Sequence, residues 1–419
     1  MLIIPSLKKK TKHQGLQTLD DAADFYLPLA AYRNTMMPVV EIGATVLKYE
    51  LLAESQGPFA SKIHAPVSGT VAALLEIDGK QVLQLKNDYQ DTPVPTAPVD
   101  AEALDIQSFR QLLLDYGIQG AGGSQFPTQL KYNLEEYKIH TLIFNGVECE
   151  PYLTADRALL SEKTVPLLKA AQVIQKIVAA ERIVFAIEKQ NRQVKPILLK
   201  QAATLGVPIE VQLLPDTYPQ GGELQLIKSV VGKELRKGSI PAQHGILVNN
   251  IGTLWAIYKA IFEGSPNVER VVTVSGNACE TLGNYTIKYG TPVAHILKAT
   301  GNPWNPEAQT LVLGGAMMGK AISSGTTAIH KGSGGLLLLK KQAENQQNCI
   351  KCGLCVDVCP QRLMPLEFVR FNQQGNQAAL QQYHLGDCIE CGACAYVCPS
   401  HVPLMENIFS GKAQLFTSG

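Results

Sequence analysis

The chain contains no long apolar run. Its densest stretches, such as Leu336 to Leu339, fall far short of the roughly 20 consecutive apolar residues that a membrane-spanning helix needs. It also has almost no net charge. The 37 Lys and Arg against 36 Asp and Glu leave +1, too little to set up a field that attracts nucleic acid or steers an acidic macromolecule. The opening MLIIPSLKKKTKHQG sets its apolar residues ahead of the basic ones and breaks them with Pro5, which is the wrong order and length for a secretory signal. The run from Lys8 to Lys10 reads as a solvated terminus with no function. Low-complexity tracts are absent, and the one internal repeat is a short cysteine motif.

What is present begins with size. At 419 residues and 46% hydrophobic, the chain exceeds the roughly 250 residues at which a single core stops growing, so two to four domains are expected. Eight of the ten cysteines fall in the last quarter. Cys349, Cys352, Cys355 and Cys359 form CIKCGLCVDVCP, and Cys388, Cys391, Cys394 and Cys398 form CIECGACAYVCP. Both are complete bacterial ferredoxin runs, in which three thiolates on short turns grip one cubane and the fourth, before proline, ligates the other. The pattern predicts two [4Fe–4S] clusters, one on Cys349, Cys352, Cys355 and Cys398, the other on Cys388, Cys391, Cys394 and Cys359. Structural zinc and redox disulfides are the alternatives, but zinc takes ligands in pairs and leaves the doubled register and its terminal proline unexplained. Cys149 and Cys279 stand outside the pattern and read as small core residues.

The order of the other segments predicts a multidomain α/β and α+β chain. Residues 1–103 carry short β-type runs between Gly, Pro and Asn turns and read as a β-rich domain. Residues 104–262 alternate helical periodicity with TLIFNG, RIVFAIE, PIEVQLL and GILVNN, the texture of a Rossmann-like domain with a largely parallel sheet. Residues 263–338 form a compact α+β unit. A polar linker, KKQAENQQN, leads into a cluster domain over 339–419.

One loop carries chemistry before any cysteine is reached. GIQGAGGSQFPTQLKY holds Gly117, Gly120, Gly122 and Gly123 ahead of a short helix, an arrangement that offers bare amides to a phosphate or a flat ring. It is not the dinucleotide GxGxxG, and alone it would pass for a tight turn. Its sequel is specific: NGVECEP at Asn145–Pro151, YPQGGE at Tyr218–Glu223 and VNNIGTL at Val248–Leu254 follow in order.

That succession resembles the flavin-carrying NADH-oxidising subunit of respiratory complex I. Through ECEPY, YPQGGE and GGAMMG it is more similar still to the C subunit of the Rnf electron-transport complex. The resemblance covers nearly the whole chain. It implies a barrel-sandwich-hybrid, or hammerhead, fold for residues 1–103, with Lys62 as the only lysine near a carrier-type tip and scaffolding as the domain's role. It also implies a β-grasp unit at 263–338, non-covalent FMN, and NAD(H) as substrate. Gly120, Gly122, Gly123 and Lys131 would approach the flavin phosphate. Asn145, Glu148, Tyr218, Gly221, Glu223, Asn249, Asn250 and Thr253 would surround the flavin. Phe126 would stack on the nicotinamide nucleotide, and Glu148 and Glu150 would bind ribose hydroxyls or the nicotinamide amide. No residue is expected to act as acid or base, because hydride transfer belongs to the cofactors.

The resemblance further implies membrane and iron–sulfur partner subunits, ferredoxin as an indirect partner, no nucleic acid, and a peripheral place on the cytoplasmic side of the cell membrane. The sequence departs from the family loop GGAGFPT at Ser124 and Gln125. Val147 and Gly222 differ from the complex I protein in the manner of the Rnf branch. Soluble electron-transfer relatives, such as cobalamin reductase or the electron-transfer protein of proline reductase, share the modules; cobalamin reductase sets the β-rich one after the clusters, whereas here it comes first. A cluster-bearing relay without nucleotide turnover is the other reading, and Gln125 is its argument.

Overall fold

Four strands, Thr141–Gly146, Arg182–Glu188, Glu210–Leu214 and Ile246–Asn250, make one sheet in the computed structural model, which describes residues 1–342 and 345–417. Their pairings are all parallel. Residues Ile183 to Glu188 are buried without alternation, as a strand covered on both faces requires. Phe144 and Phe185, with ring centroids 5.0 Å apart, lie in the core that includes helices Ala155–Glu162, Thr164–Val178 and Ile251–Glu263. Ile143, Ala186 and Val248 instead meet Leu226 and Ile227 of helix Glu223–Val231. The chain builds outward from Thr141–Gly146 through two strands and then returns to its other side as Ile246–Asn250. This reversal opens a crevice at the carboxyl ends of those two adjacent strands, the usual binding place in such sheets.

The amino-terminal region packs two small sheets. One runs Asp24–Pro28, Lys80–Asn87, Gly69–Ile77 and Thr45–Val46; the other runs Met37–Pro38, Leu51–Glu54 and Lys62–His64. Phe25 and Leu27, alternating with half-buried neighbours, and Leu83 and Leu85 of the facing strand point into one core. Lys62 pairs with Asp115 of the neighbouring helix at 2.8 Å, so its ammonium ties this region to the next.

The first strand, Leu16–Thr18, belongs to a different sheet. It pairs in parallel with Gly283–Lys288, in a mixed sheet completed by Glu269–Ser275, Gly335–Lys340, Gln309–Leu313 and Lys320–Ile322. The segment ahead of it corrects the reading of a solvated terminus. Lys8 is 2% exposed; its Nζ donates to the Glu148 carbonyl and pairs with Glu188 at 3.2 Å, while Lys9 and Lys10 stay in solvent. Composition cannot distinguish three consecutive lysines. Their register is set by Leu2, which exchanges backbone hydrogen bonds with Tyr218 at 2.8 and 2.7 Å.

The mixed sheet's last strand extends through Lys340, so the polar stretch after residue 338 starts inside the sheet; its Ala343 and Glu344 lie outside the described residues. Beyond it, helices Pro365–Gln373, Gln377–Gln382 and Leu404–Thr417 enclose Phe368, Leu380, Leu385 and Ile408. No described helix is long and apolar enough to cross a membrane.

Candidate electron-transfer site

The glycine loop sits over the crevice because its backbone is anchored at both ends. Helix Ile106–Asp115 starts at a capping box between Asp105 and Ser108 and stops just before Gly117. The Gly120 amide then donates to the Phe126 carbonyl at 2.8 Å, and the Ala121 amide to Thr253 Oγ1 at 2.9 Å. Thr253 lies in the first turn of helix Ile251–Glu263, which Asn250 caps by accepting from the Gly252 amide at 2.8 Å. Gly122 and Gly123 remain exposed, with Gly122 facing the Asn250 side chain.

A second loop closes the opposite side. Asn145, at the end of its strand, donates from Nδ2 to the Gly221 carbonyl at 2.9 Å and accepts the Val147 amide at 3.0 Å. A Cβ on Gly221 would stand 2.3 Å from the Val147 carbonyl oxygen, so only glycine permits this approach. Lys131 reaches the carbonyl of Val248 at 2.8 Å and Glu223 at 3.2 Å. Asn249 receives no such exposure: its Nδ2 donates to the Tyr132 hydroxyl, and its buried Oδ1 has no protein partner.

Beneath the two loops lies a set of charges that the sequence reading only partly anticipated. Glu148 Oε1 accepts the Asp156 amide at 3.2 Å, while Oε2 is buried and unpartnered. Burial first, and then the charge of Asp156, hold the Glu148 carboxyl well above the usual carboxylate range. Asp156 is also raised by burial, though it accepts from Asn250 Nδ2 at 2.6 Å. Arg270 donates to the carbonyls of Ala121, at 3.1 Å, and Lys331. Neither Asp156, in the first turn of helix Ala155–Glu162, nor Arg270, on a strand of the mixed sheet, belongs to a motif read in the sequence.

Phe126 meets Tyr32 of the amino-terminal region edge-on, with centroids 5.3 Å apart, and Tyr32 meets Phe59 in the same way. Gln125 has φ +55° and lies against Gly332 of the mixed-sheet unit. Glu150 departs from the expected sugar-binding place: its oxygens accept the amides of Met317 and Met318 at 2.8 and 3.0 Å, so it holds the GGAMMG turn.

Tyr218 turns away from the crevice toward the cysteines. It is buried, and its hydroxyl donates to the carbonyl of Cys391 at 2.7 Å. Cys149, Met317 and Ala393 pack around the same contact. The two cysteine motifs repeat one local geometry. Sγ of Cys349 and Cys388 each accept the amide two residues on, from Lys351 and Glu390, while Sγ of Cys359 and Cys398 each accept the amide four residues on, from Leu363 and Val402. Gly392 has φ +71° and its missing Cβ would sit 2.9 Å from the Met317 carbonyl oxygen. Cys359 of the first motif lines one cavity together with Cys388, Cys391 and Cys394 of the second, and with Phe368 and Met405.

Family models match three parts of the chain. The RnfC barrel sandwich hybrid domain covers residues 2–87, the Nuo51 FMN-binding domain 113–259 and the 4Fe-4S dicluster domain 348–402. The C subunit of the ion-translocating oxidoreductase complex of Rhodobacter capsulatus is 32% identical over 373 residues, which is 86% of this chain and 72% of that protein. The chain belongs to this C-subunit family. The Haemophilus influenzae (strain PittEE) relative is 33% identical over 98% of this chain, and the Serratia proteamaculans one is 35% identical over 98%. The chain spans 65% and 60% of those two relatives. An NAD+-reducing [NiFe]-hydrogenase in the H2-reduced state shares the fold at TM-score 0.51 and 18% identity, over 76% of this chain and 62% of that one. This family member is thus a mixed α/β multidomain chain that carries an FMN-binding domain and a 4Fe–4S dicluster domain.

Proposed function

We propose that the chain is the electron-input subunit of an ion-translocating ferredoxin:NAD+ oxidoreductase of the Rnf type. In this reading it exchanges a hydride between NAD(H) and non-covalent FMN and passes single electrons through two [4Fe–4S] clusters to membrane partners. The bond from Tyr218 to the Cys391 carbonyl carries the reading, because one loop then touches both the flavin crevice and the inner cysteine cavity. The residues fit the groups they would hold. Glu148 Oε2 and Asn249 Oδ1 are buried polar atoms without protein partners, which a polar ligand in the crevice would satisfy.

FMN accepts two electrons with a hydride and releases them singly, whereas an iron–sulfur cluster takes one. The protein's part is to bind, align and exclude water. Gly122 and Gly123 leave their amides open to a phosphate, Lys131 supplies a cation at the Val248 carbonyl and Glu223, and Asn145, Asn250 and Thr253 fix the walls. Phe126 offers an aromatic face to the nucleotide. Glu150 instead sets the distance between the flavin domain and the GGAMMG turn beside the cysteines. Residues 263–338 would be the β-grasp unit. Cys349, Cys352, Cys355 and Cys398 would hold an outer cluster, and Cys359, Cys388, Cys391 and Cys394 an inner one. With its partners the protein would lie on the cytoplasmic face of the membrane.

The test is to add NADH anaerobically to the FMN- and iron-loaded protein and follow its visible spectrum. Flavin bleaching followed by loss of cluster absorbance is expected. Clusters that dithionite reduces but NADH does not would overturn the dehydrogenase and leave a relay, with Gln125 blocking the nucleotide.

A further inference from the structure

The two cysteine motifs share backbone geometry but not surroundings. Cys349 and Cys352 are exposed, while Cys391 and Cys394 are buried. A cluster gains one negative charge when it takes an electron, without bond formation or proton uptake. Burial opposes that gain, because water no longer solvates the added charge. Something fixed must offset the cost if the inner position is to accept electrons from the flavin.

Two ammonium groups stand where they can do so. Lys412 Nζ donates to the Cys388 carbonyl at 2.6 Å from helix Leu404–Thr417, and Lys237 Nζ donates to the same oxygen at 3.3 Å from the loop after helix Glu223–Val231. Lys412 is 8% exposed and also pairs with Glu390, which cancels part of its charge. Lys237 is exposed and comes from the flavin-binding part of the chain. At the corresponding point of the first motif, Cys349 lies in solvent, where water and salt do the same work.

We propose that Lys237 and Lys412 are positioning residues that hold up the reduction potential of the inner cluster, through the Cys388 carbonyl on which both converge. The inference rests on the two-cluster reading above. It makes two geometrically duplicate motifs electrically unlike. The inner one relies on fixed cations, one of them lent by the flavin-binding domain; the outer one relies on solvent.

The experiment is a redox titration of the fully loaded protein, followed by electron paramagnetic resonance. The inner signal is assigned as the one that Cys391→Ser alters. Lys412→Gln is expected to lower the inner midpoint by an amount equivalent to about tenfold in electron distribution, or about 59 mV for a one-electron couple, leaving the outer midpoint in place. Lys412→Arg should restore it. Lys237→Gln should give a smaller downward shift that fades at high salt, since its side chain is screened. If Lys412→Gln loses iron, Lys237→Gln at low salt decides alone. An inner midpoint unchanged in the iron-replete variants overturns the proposal. A wild-type protein that holds only one cluster overturns the two-cluster reading instead.

Discussion

The hydroxyl of Tyr218 and the backbone carbonyl of Cys391 are 2.7 Å apart, joining a loop of the flavin-binding domain to the inner cysteine motif across 173 residues of sequence. Leu2 pairs with the backbone of the same tyrosine, so three distant segments meet at one side chain. Tyr218→Phe removes a buried hydroxyl that bonds to the Cys391 carbonyl and also meets the Glu150 carboxyl, and leaves that carbonyl unsatisfied. The expected cost is about 1–2 kcal/mol of stability, with slower oxidation of reduced flavin by the clusters. Stopped-flow traces at the flavin and cluster wavelengths would show it, and unaltered transfer would deny the loop its role.

The crossed arrangement of the motifs can be tested by deleting fourth ligands. Cys359 lines the cavity of Cys388, Cys391 and Cys394, so Cys359→Ala should impair the inner cluster and Cys398→Ala the outer one. Iron analysis should fall toward half in each case, and the surviving resonance signal should differ between them. Loss of the same signal in both variants contradicts the crossing.

Gly221→Ala would drive a methyl group to 2.3 Å from the Val147 carbonyl oxygen. The loop must then move, breaking the Asn145 bond to Gly221. We expect the flavin content of the purified protein to fall at least tenfold while iron content stays near normal; retention of flavin would mean that this wall does not touch it.

Lys8→Met should lower stability by about 3–5 kcal/mol, because it leaves Glu188 buried without its cation. Lys9→Met and Lys10→Met, on exposed neighbours, should change it by less than about 0.5 kcal/mol. Thermal unfolding of the three variants makes the comparison, and equal effects would place all three lysines in solvent.

Burial pushes the Glu150 carboxyl up to about 7 despite the two amides it accepts. The folded protein therefore binds more protons than the unfolded chain between the ordinary glutamate value and 7. Stability from this group is complete below that ordinary value and is lost as pH rises through 7, on the order of 3 kcal/mol at most. The melting temperature of wild type minus that of Glu150→Gln should accordingly decrease from pH 5 to pH 8. A flat difference would show a carboxylate ionised throughout.

Sequence alone determined the chemistry at the cysteines, since thiolate spacing acts within a few residues and survives any packing of the domains around it. It also pointed to the parallel strands: short, β-branched apolar runs such as RIVFAIE, set between helical segments, are the pattern of strands covered on both faces. Tertiary structure decided the rest. Glu150 and Glu148 are two residues apart, yet one caps a turn of the mixed-sheet unit and the other lies beside Asp156, because the chain bends between them. Lys8, Arg270, Lys237 and Lys412 gain their partners from segments far away in the chain, and long-range burial of a charge leaves no periodic trace in sequence. Local spacing can specify a ligand set; only the packed fold specifies which distant charge sits beside it.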